Sequence, residues 1–95
     1  MTTVTVQDGQ GTISKVLDAD QTRLFLQEFT RVRRFWAPDR DLNALIAPDC
    51  TIEVDDNGRT RKYEIQSRAV LVDRGRKRKY QFYFGLLLLE WLQSP

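Results

Sequence analysis

The chain has 95 residues, 41% hydrophobic and 29% charged, with a formal net charge of +2. That size supports one core and a single domain over residues 1–95, burying roughly 60 to 70% of the unfolded surface, with little stability left over for a large strained or polar site. The absence of histidine and the single cysteine, Cys50, exclude an internal disulfide, Ser-His and Cys-His nucleophiles, thiolate clusters and the usual zinc or iron sites.

Neither a secretory signal nor a membrane-spanning helix is visible, so a cytoplasmic location without membrane contact is expected. The charge is unevenly divided. Met1 to Asn57 carries six basic and ten acidic residues, whereas Gly58 to Pro95 carries nine basic and three acidic. A dipolar chain of this kind attracts an anionic partner to one end or stacks head to tail on itself.

In chain order, Val4 and Val6 alternate with threonines, and a second β-branched run follows Asp8-Gly9-Gln10-Gly11, which predicts an N-terminal hairpin. Asp18 and Gln21 form a capping box that predicts a helix start. Phe25, Phe29, Val32 and Trp36 then share one helical face, and Pro38 stops the helix near Trp36. Arg31, Arg33 and Arg34 fall in its last turns, where positive charge complements the helix dipole. A short second helix is expected to carry Leu42, Leu45 and Ile46 inward, after Asp39 and Asp41 at its start.

Beyond Pro48 the period becomes two. Cys50, Ile52 and Val54 predict a strand, Asp55-Asp56-Asn57-Gly58 a turn, and Arg59 to Gln66 the return strand with Tyr63 and Ile65 inward. Ala69 to Val72 reads as a central or doubly covered strand. A turn around Gly75 leads into a fourth strand, Lys77 to Phe84, with Tyr80, Phe82 and Phe84 inward and Lys77, Lys79, Gln81 and Tyr83 outward. Gly85 breaks that alternation. Leu86 to Leu92 most economically forms a terminal helix, a continued strand being the alternative.

The expected fold is therefore α+β: an N-terminal hairpin, two helices, a four-stranded antiparallel meander sheet and a short C-terminal helix, with helices on one sheet face and Arg and Lys on the other. Glu53, Asp55, Asn57, Gly58 and Glu64 have the spacing of a calcium loop, but the strand pattern on both sides and the cations Arg59, Arg61 and Lys62 within it favour a hairpin. No metal or other cofactor is expected. Cys50 reads as a buried small hydrophobe. The acidic residues fall at helix starts, strand edges and turns. An enzyme would need several of Asp18, Asp39, Asp49, Glu53 and Glu64 to converge, and a non-catalytic protein is expected.

Two surfaces remain as candidates. Leu86, Leu87, Leu88 and Leu89, with Trp91, point around most of a helix, so either a second copy or another protein covers them, or the helix is buried between the sheet and the first helix. The first option makes the protein a small interaction or assembly module, self-associating as a homodimer through its C-terminal apolar segment. The other surface is the hairpin bearing Arg74, Arg76, Lys77, Arg78 and Lys79, with Tyr83 as an outward aromatic. Those residues suit phosphates and a stacked base, which makes nucleic acid the alternative partner, and an acidic protein is a third.

Overall fold

The computed structural model describes residues 2–38 and 48–93. Seven antiparallel strands form one open sheet: β1 (Thr2–Asp8), β2 (Ser14–Val16), β3 (Trp36–Pro38), β4 (Cys50–Asp56), β5 (Arg59–Gln66), β6 (Val70–Asp73) and β7 (Arg78–Gln81), in the order β2-β1-β4-β5-β6-β7-β3. Helix α1 (Ala19–Val32) and helix α2 (Gly85–Gln93) complete the described elements. The fold class is α+β as expected, but the sheet is larger. The N-terminal hairpin joins the meander through β1, whose residues from Thr2 to Asp8 pair with Asp56 to Cys50, so its period-two pattern extends the same buried face.

Local chemistry accounts for most element ends. Asp18 accepts from the Gln21 N–H at 2.8 Å while the Gln21 side chain accepts from the Asp18 N–H at 3.1 Å, the reciprocal cap that the sequence predicts. Asn57 and Gly58 both have positive φ, 52° and 87°, and close the two-residue turn between β4 and β5 with Asp56 opposite Arg59. Between β6 and β7 the loop is Arg74 to Lys77, and the left-handed residue is Lys77 rather than Gly75. The expected second helix at Leu42, Leu45 and Ile46, with Asp39 and Asp41, lies outside the described residues.

Helix α1 ends one turn earlier than its apolar spacing implies. Val32 is its last residue, Arg33 caps it by donating its N–H to the Phe29 carbonyl at 3.0 Å, and Phe35 then bonds back to Val32. Trp36 leaves the helix and enters β3, opposite Tyr80 of β7. The reason lies in Pro38, which pushes Ala37 into extended geometry and lacks an N–H, both compatible with an edge strand.

Both helices cover one sheet face. Val4, Val6, Cys50, Ile52, Tyr63, Ile65, Leu71 and Tyr80 are buried there with Phe25, Phe82 and Leu88. Phe25 sits 5.8 Å from Phe82 and 6.4 Å from Phe84, and Phe29 sits 5.1 Å from Tyr63, so α1 is held by aromatic contacts to β5 and the segment after β7. Val72, on the opposite face between Glu64 and Lys79 in register, is also buried, and β6 lies inside the sheet between β5 and β7, the central rather than the doubly covered position.

The C-terminal segment does form a helix. Its four leucines divide: Leu88 is fully buried, Leu87 and Leu89 are half-buried, and Leu86 is 47% exposed. Trp91 packs edge-on against Phe84 at 5.4 Å. The chain enters α2 through Gly85, where a Cβ would stand 2.7 Å from the Arg68 carbonyl and 3.0 Å from Ile65 Cγ2. Gly85→Ala therefore moves α2 off β5, and urea denaturation should show a loss of about 1 to 3 kcal/mol; an unchanged midpoint would show that this close approach is unimportant.

Candidate functional site

The basic residues of the β6–β7 hairpin are divided between the two sheet faces and the hairpin tip. Arg74 pairs with Glu64, and Lys79, in register with Val72 and Glu64, faces away from the helices. Arg76 and Arg78 instead line a cleft on the helix side, and Lys77 occupies the exposed tip. Tyr83 is 65% exposed but follows the end of β7 farther from the hairpin, so it does not stand beside these cations.

The cleft measures about 160 Å³ and lies where the C-terminal end of α1 meets the sheet. Arg33 and Arg34 enter from the segment after α1, Arg61 from β5, Arg76 from the hairpin and Arg78 from β7, around Phe29, Trp36, Tyr63 and Tyr80. Strand alternation puts Arg61 and Arg78 there, since Arg61 stands two residues before Tyr63 and Arg78 two before Tyr80, both inward. The expectation that arginines and lysines would all occupy the other sheet face is corrected for these two positions.

Asp73 is the one carboxylate among the described residues lining the cleft, and its Oδ1 accepts from the Arg76 backbone N–H at 3.2 Å. Three arginines elsewhere find carboxylates: Arg23 with Asp20 at 3.6 Å, Arg31 with Glu28, and Arg74 with Glu64. Arg33, Arg34, Arg61 and Arg76 form no ion pair among the described residues. Arg78 lies over the Trp36 ring with its guanidinium carbon 4.2 Å from the centroid.

A second groove of about 400 Å³ continues from the cleft, sharing Phe29, Arg33, Arg61 and Tyr63 and reaching Thr2, Asp56 and Arg59. The result is an elongated basic channel with an aromatic floor. Burial holds the Tyr63 phenol above its ordinary pKa, with Arg61 opposing through a hydrogen bond, Asp73 adding to the rise, and the Arg61 and Arg76 charges opposing it. Tyr63 thus stays a neutral donor at the floor.

Phe35, at 76% exposure, and Trp36, at 46%, directly follow Arg33 and Arg34, which makes Arg33 to Trp36 a basic-aromatic surface segment. Sequence periodicity hid it by extending α1 through Trp36. Of the acidic residues considered for catalysis, Asp18 caps α1 and Asp49 accepts from the Arg68 N–H at 2.7 Å, while Glu53, opposite Lys62, and Glu64, paired with Arg74, line one groove with Asp73; Asp39 is outside the described residues. Glu53 and Glu64 stand on two strands of a hairpin rather than around a loop.

Cys50 is fully buried on β4, and burial, with Asp49 adding, pushes its thiol up to about 12. It is a poor nucleophile as folded. Above an ordinary thiol pKa the unfolded chain loses its proton while the folded one keeps it, so stability falls as pH rises from about 9 toward 12. Urea midpoints across that range should fall less steeply in Cys50→Ala than in the parent protein, and equal slopes would contradict the buried-thiol assignment.

No protein-family model matches the chain, and no curated protein or solved structure is detectably similar to it, so its function is read from this geometry.

Proposed function

We propose that the protein is a non-catalytic nucleic-acid-binding module that holds a phosphate backbone along the channel containing Arg33, Arg34, Arg59, Arg61, Arg76 and Arg78. The observation carrying this reading is the convergence in one cleft of five arginines that form no ion pair among the described residues, whereas Arg23, Arg31 and Arg74 elsewhere each meet a carboxylate. Clustered guanidinium groups repel one another, and an anion removes that repulsion while releasing its own counterions. Arginine also presents a planar fork that matches two phosphate oxygens. The set therefore differs from the hairpin cations alone: Arg76 and Arg78 are kept, and Arg74 and Lys79 become peripheral.

Fluorescence anisotropy with a labelled oligonucleotide tests this. Binding should weaken steeply with salt, and Arg61→Ala with Arg76→Ala should lower affinity by about ten-fold or more and make the salt slope shallower by roughly one per lost phosphate contact. Arg74→Ala, outside the cleft, should have a smaller effect. Absence of binding at low salt, or equal affinity for a polyglutamate chain, would overturn the reading.

A self-associating module is the second reading, and Leu86 is the observation that favours it, as the most exposed of the C-terminal leucines. Self-association through α2 should then be lost in Leu86→Glu with folding intact. Sedimentation analysis showing the parent chain as a monomer at high concentration would remove it.

A further inference from the structure

The aromatic beside the cleft specifies which form of nucleic acid the channel takes. Trp36 is fixed at both ends of its environment: its backbone is paired with Tyr80, and the Arg78 guanidinium lies over one face of its ring at 4.2 Å. The residue nevertheless keeps 46% exposure with Arg78 over one ring face. A large aromatic on an edge strand normally gains by burial. Here the ring is held in place by a cation and left open, immediately next to a cleft with room for a phosphate group and four further arginines.

We propose that Trp36 is a stacking platform for an unpaired nucleobase, so that the channel takes single-stranded nucleic acid in preference to a duplex. This rests on the binding role assigned above to the arginine channel and adds the base to the phosphate. The base stacks on the open ring surface while its phosphate enters the cleft between Arg34, Arg76 and Arg78. Only an unstacked base offers its face to a side chain, and a paired one presents its edge alone. Phosphate contacts carry no base or strand information, whereas stacking requires a base and tolerates any of the four. Phe35, 76% exposed beside Trp36, offers a second apolar surface for the neighbouring nucleotide.

The chain has two tryptophans, so Trp91→Phe leaves Trp36 as the sole tryptophan and its emission reports on the site. That variant is titrated with an oligothymidylate of about 12 nucleotides, an abasic strand of equal length, the corresponding duplex and inorganic polyphosphate. Quenching by oligothymidylate alone is expected. In the otherwise unaltered chain, Trp36→Leu should weaken oligothymidylate binding about ten-fold and leave polyphosphate binding unchanged. Trp36→Phe, which keeps a stacking face, should retain most of the affinity and guards against a general loss of structure. Equal affinity for abasic strand, duplex and oligothymidylate, with Trp36→Leu neutral, would overturn the stacking role and leave the arginine channel standing. Failure of every one of these ligands to bind would overturn both.

Discussion

The meeting of the cleft arginines in one place depends on the packing of Phe29 against Tyr63 and Tyr80. Phe29 lies 5.1 Å from one ring and 6.3 Å from the other, and one turn earlier Phe25 stacks on it at 5.9 Å while reaching Phe82. These contacts fix the C-terminal turn of α1 over β5 and β7. Arg33 and Arg34 follow within a few residues, so their guanidinium groups are carried to the end of the sheet where Arg61 and Arg78 already point inward. Burying Phe25 stabilises the domain by roughly 2 to 3 kcal/mol on an area basis, and the partly buried Phe29 adds less. The same contact that closes the core thus opens the cleft, because the helix ends before it can cover the last turn of the sheet.

Local chemistry made part of this legible before any fold was in view. The Asp18–Gln21 cap, the Asn57-Gly58 turn, the inward Tyr63 and Ile65, and the break at Gly85 each follow from a few adjacent residues. The β1–β4 ladder does not, since Thr2 meets Asp56 across most of the chain and nothing in either strand names its partner. The cleft was hidden for a different reason. Its arginines come from the segment after α1, β5, a hairpin and β7, and no window of sequence contains them together. One signal was available: the alternation that turned Tyr63 and Tyr80 inward also turned Arg61 and Arg78 inward. Trp36 leaves the helix although its spacing from Val32 continues the apolar face of α1, because it pairs with Tyr80 in β3 beside Ala37, which Pro38 holds extended.

The apolar stretch from Tyr80 to Leu92 serves mostly to complete the core. Its strand half gives Tyr80 and Phe82 to the face beneath α1, and its helical half gives Leu88 and Leu92. Lys15 of β2 donates to the Trp91 carbonyl at 3.2 Å, supplying from a distant strand the positive charge that the last turn of α2 lacks. With the leucines turned largely inward, the exposed aromatic and apolar groups that remain conspicuous are Phe35, Trp36, Tyr83 and Leu86, together with Ile13, Val16 and Leu24 around β2 and α1. Trp36 alone among these lines the cleft, and Phe35 precedes it in the chain.

Where charge is balanced and where it is not carries more information than its total. On the open sheet face Glu53 stands opposite Lys62 and Glu64 holds Arg74, so anions and cations alternate across neighbouring strands. Such pairs contribute little individually but keep a polar sheet soluble and in register. On the helix side Asp73, the one carboxylate among the described residues lining the cleft, accepts from the Arg76 backbone N–H, and five arginines line the same cleft. A fold under no demand beyond stability would disperse those cations, because each is solvated more cheaply alone than beside four others. On the proposed reading, an anionic ligand relieves the repulsion that their convergence against an aromatic floor creates, even though the chain as a whole is nearly neutral.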